Sequence, residues 1–130
     1  MEKIIGVGTD IVEIARIRAA HQRHGNRFLR RIFTDGEVAY AFRFRDPYPS
    51  LAARFAAKEA VAKALGTGIG TSVSFRQIEI LCDAKNAPKI RLNNYDPEGN
   101  AAGRRIFLSL SHIRHLAVAF VTIQSSPVGV

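Results

Sequence analysis

One cysteine, Cys82, among 130 residues rules out an intrachain disulfide, and a lone thiol is compatible with a reducing compartment. Packed as a small hydrophobe, it needs no further role. Long apolar runs are missing too. The longest stretch without charge is Leu116 to Val130, and its solidly apolar part, Leu116 to Ile123, falls far short of the roughly 20 residues of a membrane span. Asp10 and Glu13 interrupt the N-terminus before an apolar segment is long enough for a signal peptide, and no small-residue cleavage site follows. These absences predict a cytoplasmic protein with no membrane partner. Acidic side chains are scarce: eleven Asp and Glu against nineteen Lys and Arg give a net charge of +8. None lies between Glu13 and Asp35, where Arg16, Arg18, Arg23, Arg27, Arg30 and Arg31 supply six of those eight excess charges. Such an imbalance calls for an acidic partner docking on this segment. A solvated helical face is the alternative, although such faces usually mix both signs.

No repeat, low-complexity tract or linker divides the chain, so residues 1–130 are expected to form one domain. Composition agrees: 47% hydrophobic and 23% charged residues exclude disorder and collagen-like structure. The β-branched opening, Ile4 to Val12, reads as a strand ending near Asp10, with Gly6 and Gly8 permitting close approach of another backbone. From Glu13, Ile14, Ile17 and Ala20 recur at helical spacing, and Gly25 offers a left-handed stop. Thr34-Asp35-Gly36-Glu37 has capping-box spacing and starts a second helix through Val38 to Phe42. Pro47 and Pro49 mark a connection, after which Ser50 can cap a third helix, Leu51 to Leu65, closed by Gly66. The period then changes. Arg76 to Cys82, Lys89 to Asn93, Arg105 to Ser111 and Leu116 to Ile123 read as strands, with a turn at Asp96 to Asn100. A strand, three helices and then strands make an α+β domain.

Several familiar sites are excluded. Gly6-Val7-Gly8-Thr9-Asp10-Ile11 has Ile11 where a dinucleotide fingerprint needs its third glycine, and an acidic residue where phosphate would sit. Gly66 to Gly70 is glycine-rich but follows a helix C-terminus, whose partial charge repels phosphate. His112 and His115 would point to opposite faces of a strand, which argues against zinc. No Gly-x-Ser-x-Gly elbow surrounds Ser109 or Ser111. Two carboxylates remain. Asp10, at the expected strand-to-helix junction, either caps the helix or reaches a cleft. Glu59 shares a helical face with Phe55 and Lys63, beside Ala52 and Ala56. It either pairs with Lys63 across one turn or belongs to a site. A phosphate-bound Mg²⁺ takes one or two acidic ligands together with phosphate oxygens and waters, a role open to Asp10 and Glu59.

Taken together, Gly6 to Ile14, the block Arg54-Phe55-Ala56-Ala57-Lys58-Glu59-Ala60 with Lys63 to Gly68, and Leu108-Ser109-Leu110-Ser111-His112 resemble the holo-acyl-carrier-protein synthases, the small trimeric phosphopantetheinyl transferases. The resemblance spans nearly the whole chain. It implies a 4′-phosphopantetheinyl transferase-like fold and transfer of 4′-phosphopantetheine from coenzyme A to a serine of apo acyl carrier protein. Adenosine 3′,5′-bisphosphate is released, Mg²⁺ is required, and the product serves fatty acid biosynthesis. Asp10 and Glu59 match the family's metal ligands, and Lys63 a phosphate-contacting lysine, which makes these three the catalytic set. Arg54, Lys63 and His112 match coenzyme-site positions, His112 near the 3′-phosphate. The family's first helix receives the acidic carrier protein, which assigns Arg16 first, then Arg18 and Arg23, to partner binding. Active sites between neighbouring subunits of a homotrimer are implied as well. The base that removes the serine proton stays open between Glu59 and a water or hydroxide on the metal.

Two departures stand out. The family usually has Gly-Lys-Pro where this chain has Asn86-Ala87-Pro88, and asparagine tolerates the left-handed turn that the hairpin needs. Ile113 follows the Ser-His pair where a polar residue is common. A basic nucleic-acid-binding module explains the arginines equally well but not Glu59, and the chain lacks an aromatic RNA-binding signature. Nucleic acid is therefore not an expected partner. A catalytically dead carrier-binding trimer is opposed by the intact Asp10, Glu59 and Lys63.

Overall fold

The computed structural model describes residues 2–70, 73–93 and 104–125. Strand β1 (Ile4–Glu13) leads directly into α1 (Ile14–His24), then α2 (Asn26–Ile32), α3 (Asp35–Ala41) and α4 (Tyr48–Leu65). Strands β2 (Ile78–Cys82), β3 (Pro88–Leu92), β4 (Arg104–His112) and β5 (Leu116–Ser125) complete the α+β order. β5 pairs antiparallel with β1 on one side and β4 on the other, giving a three-stranded sheet, while β2 and β3 form a separate hairpin. The turn expected at Asp96 to Asn100 lies outside the described residues.

α4 is the centre of the molecule. Alanines on most of its faces let neighbouring backbones approach, and Leu51, Ala52, Ala56, Ala57, Ala60, Val61 and Ala62 are fully buried. Its contact with β1 depends on two glycines. A Cβ on Gly6 would stand 2.1 Å from the Ala64 carbonyl oxygen, and one on Gly8 only 1.9 Å from that of Ala60. No side chain fits there, so the expected close approach is realised. Gly8→Ala should cost about 2–3 kcal/mol, because α4 must lift off the sheet. Urea denaturation would measure that cost; a loss below about 0.5 kcal/mol would show that the helix shifts freely.

Four α-helices occupy the described region where three were expected. Arg27 to Phe33, read only as a lead into the next helix, contributes most of α2, which buries Leu29 and Ile32. Gly25, at φ +60°, separates α2 from α1, which confirms it as a stop. The capping box at α3 is present: Thr34 Oγ1 accepts from the Glu37 amide at 3.2 Å, and Thr34 N–H donates to Glu37 Oε1 at 2.8 Å. Ser50 does not cap α4. That helix starts at Tyr48 with proline in its first turn, where the missing N–H costs nothing, and Ser50 Oγ instead accepts from Arg54. Gly66 ends α4 at φ +81°. Asn86 adopts φ +63° between β2 and β3, so asparagine does carry the left-handed turn. Asp83 supports it through Oδ1, which accepts from the Lys85 and Ala87 amides at 2.9 Å each.

Candidate active site

β1 runs three residues beyond Asp10, paired with β5 down to Glu13 opposite Leu116. The N-cap of α1 is therefore Glu13, which makes no side-chain cap, and the capping role considered for Asp10 is excluded. Strand alternation turns Gly6, Gly8, Asp10 and Val12 toward α4, and the glycine contacts bring that helix in close. Asp10 and Glu59 consequently line one cleft of about 340 Å³ with Arg16, between apolar walls that include Ile17, Phe28 and Phe55.

Lys63 does not pair with Glu59. Its Nζ donates to Asp10 Oδ1 at 3.1 Å and to the Thr9 carbonyl at 3.0 Å, which ties α4 to β1 a second time. Glu59 has neither a hydrogen bond nor an ion pair among the described residues. Burial pushes its carboxyl above the ordinary range, the Asp10 charge pushes it further, and Lys63 opposes them. Two hard oxygen donors, one of them paired with an ammonium, make a cluster to which a divalent cation can add positive charge. Among the described residues no third acidic, histidine or cysteine side chain completes a cage, so Mg²⁺ here would depend on ligand oxygens and water.

A second cleft, of about 450 Å³, lies elsewhere and contains Arg54 and His112 together with Tyr40, Phe44, Ser50 and Leu110. Arg54 and Glu59 both sit on α4, but five residues turn the helix by about 140° beyond a full circle and put them on different faces. One copy of the chain therefore joins Asp10, Glu59, Lys63 and Arg16 in one place and Arg54 with His112 in another. His115 lines a further recess with Glu13, Arg18 and Arg114, so the two histidines do not converge. Ile113 is exposed beside His112.

The arginines divide as well. Arg16 borders the carboxylate cleft, and Arg23, seven residues on, is exposed along the same helical stripe. Arg18 points away, 3.4 Å from Asp46 and stacked 5.1 Å from the Tyr48 ring centre. Arg27, Arg30 and Arg31 frame a recess of their own.

Sequence reading missed Lys58. It is fully buried, with Nζ 2.7 Å from Glu37 Oε1, 2.8 Å from the Phe75 carbonyl and 2.6 Å from that of Ile78. Glu37 also accepts from the Ile80 amide, and Thr34 links the cluster to Glu79, which holds Arg91 and Asn93. This network fastens α4 to α3 and the β2–β3 hairpin. A signal existed: a helix apolar on every face can carry a lysine only if the lysine is paired.

Residues 6–121 match the family model of the 4′-phosphopantetheinyl transferase superfamily. A holo-[acyl-carrier-protein] synthase of Chlamydia muridarum is 52% identical over 119 residues, covering 89% of this chain and 91% of the relative. The crystal structure of holo-[acyl-carrier-protein] synthase from Neisseria meningitidis superposes with a TM-score of 0.84 at 39% identity, covering 93% of this chain and 98% of that one. One from Bacillus anthracis, solved in complex with CoA (3′,5′-ADP), gives a TM-score of 0.80 at 37% identity over 95% of this chain and 98% of that one. With the fold and these likenesses in agreement, the chain belongs to the 4′-phosphopantetheinyl transferase superfamily, in its holo-acyl-carrier-protein synthase family, and is an enzyme of that class.

Proposed function

We propose that this chain, as one domain over residues 1–130, transfers 4′-phosphopantetheine from coenzyme A to a serine of apo acyl carrier protein and releases adenosine 3′,5′-bisphosphate. The observation that carries the reading is the convergence of Asp10 and Glu59 in one cleft with Arg16 at its edge. The serine oxygen forms a bond to the pantetheine-bearing phosphorus. The bond from that phosphorus to the bridging oxygen breaks, and the bisphosphate leaves with the electron pair. Asp10 and Glu59 would hold Mg²⁺, which supplies positive charge against the pyrophosphate and the leaving oxygen. Lys63, whose Nζ donates to Asp10 and the Thr9 carbonyl, adds a second positive charge beside the carboxylates. Either Glu59 or a water or hydroxide on the metal would accept the serine proton. Arg54 and His112 take the nucleotide end of coenzyme A.

Because one copy separates Arg54 and His112 from the carboxylates, a complete site needs a neighbouring subunit, in keeping with a homotrimer. The outer face of the sheet supports such assembly. Val7, Thr122 and Phe107 lie in one row across β1, β5 and β4, with Phe120 and then Ile11 and Val118 in the next rows. All five of the apolar residues are exposed, and a contiguous apolar face of this kind marks an association surface. A cytoplasmic location and service to fatty acid synthesis complete the proposal.

Intact-mass analysis of apo acyl carrier protein incubated with this protein, coenzyme A and Mg²⁺ tests the reaction. One added phosphopantetheine, lost with excess chelator, is expected. No gain on a carrier that an established transferase modifies would overturn the reading. The acidic carrier is proposed to dock along α1, so Arg16→Glu should raise its KM at least about tenfold, and the wild-type KM should climb with ionic strength. A KM indifferent to both salt and Arg16 would place docking elsewhere.

A further inference from the structure

Arg54 is only 5% exposed, yet its Nε is buried with no hydrogen-bond partner among the described residues. The rest of the guanidinium is held on several sides. Nη1 donates to Ser50 Oγ at 2.8 Å, Nη2 reaches Cys82 Sγ at 3.6 Å, and the guanidinium carbon lies 4.2 Å from the centre of the Tyr40 ring. Tyr40 is itself fixed. Its ring packs edge-on against Phe44 at 5.4 Å, and its hydroxyl donates to Asn86 Oδ1 at 3.5 Å, in the left-handed turn of the hairpin. Tyr40, Arg54 and Leu110 line both the cleft that holds His112 and an adjoining one of about 290 Å³ that holds Cys82 and Asn86. The Tyr40–Arg54 stack therefore stands at the waist of a two-lobed groove.

An arginine whose plane is fixed by an aromatic ring and two side chains can present its remaining donors as a fork to a pair of phosphate oxygens. Burying Nε without a partner is costly unless a ligand takes the hydrogen bond. On the reading of this groove as the nucleotide end of the coenzyme A site, we infer that Tyr40 is a positioning residue: it holds the Arg54 guanidinium flat so that its free edge meets a phosphate of the coenzyme. Tyr40 touches no reacting atom and acts through Arg54.

The test is a KM-against-kcat split combined with a double-mutant cycle. Tyr40→Leu should raise the KM for coenzyme A about tenfold, with kcat within about twofold of wild type, as loss of a desolvated cation–π contact predicts. Tyr40→Phe keeps the ring face and should restore the wild-type KM. Arg54→Ala should weaken binding at least as much, and adding Tyr40→Leu to it should change nothing more. Calorimetric titration with adenosine 3′,5′-bisphosphate reads the same cycle without turnover, so it separates this inference from the proposed reaction. Effects of Tyr40→Leu and Arg54→Ala that multiply, or a Tyr40→Leu protein with wild-type affinity for the bisphosphate, would overturn the assignment. A Tyr40→Phe protein as weak as Tyr40→Leu would overturn it too, since the hydroxyl and not the ring face would then matter.

Discussion

Lys58→Met should destabilise the protein by about 3–5 kcal/mol, the loss seen when one partner of a buried ion pair is removed. Lys58 and Glu37 are both without solvent exposure on their side chains, and the ammonium has three acceptors at 2.8 Å or closer. Burial lowers the basicity of Lys58, and the Glu37 charge and hydrogen bond oppose that shift. Methionine matches the stem of the lysine but leaves the Glu37 charge without its counter-ion and the Ile78 carbonyl without this donor, while the Phe75 carbonyl keeps the Ile78 amide. Against a total stability of about 5–15 kcal/mol, that loss removes a large fraction. Replacing Glu37 as well should not restore stability, because Glu37 also closes the α3 capping box and accepts the Ile80 amide. Urea denaturation with an unchanged slope would measure the difference; a loss below about 1 kcal/mol would mean that water or another donor reaches Glu37.

What the sequence made legible was local. Gly6 and Gly8 announced a close backbone contact, Thr34 and Glu37 a capped helix, Gly66 a helix end and Asn86 a left-handed turn, and each is present. Elements fixed by distant partners were harder to read. β1 ended early on paper because its last residues owe their extended form to β5, more than a hundred positions away in sequence. That error kept the capping reading of Asp10 alive. α2 is too short to show a helical period, and only burial of Leu29 and Ile32 against the rest of the fold reveals it. Glu59 and Lys63 have the spacing of a surface pair, but Lys63 is claimed by Asp10 from another element. The carboxylate pair was visible as two residues, and its geometry only once β1 lay on α4. Arg54 and His112 were recognisable one by one, whereas their distance from Asp10 and Glu59 within one copy follows from helix geometry and the sheet edge.

Glu59→Gln and Asp10→Ala should each lower turnover by at least about 10³-fold, because both carboxylates are assigned to hold the charge that offsets the pyrophosphate. Stability should move differently. In the folded chain the Glu59 carboxyl is held above its ordinary 4.5 by burial first and by the Asp10 charge second. Between that ordinary value and the raised one, the folded state keeps a proton that the unfolded chain has released, so this group's contribution to stability is present at acid pH and lost as pH rises through the window. Above the window, ionised Glu59 faces ionised Asp10 and the native state bears the repulsion. Glutamine removes that repulsion without changing shape, so Glu59→Gln should melt at or above the wild-type temperature at neutral pH while losing its activity. Wild-type kcat/KM should fall on the acid side as protons compete with the cation for Glu59, and raising Mg²⁺ should move that fall to lower pH. Melting curves and kcat/KM between pH 5 and 8 would read both effects. A Glu59→Gln protein that keeps more than a tenth of its activity, or one that loses activity and stability together, would remove Glu59 from the chemistry and return it to the fold.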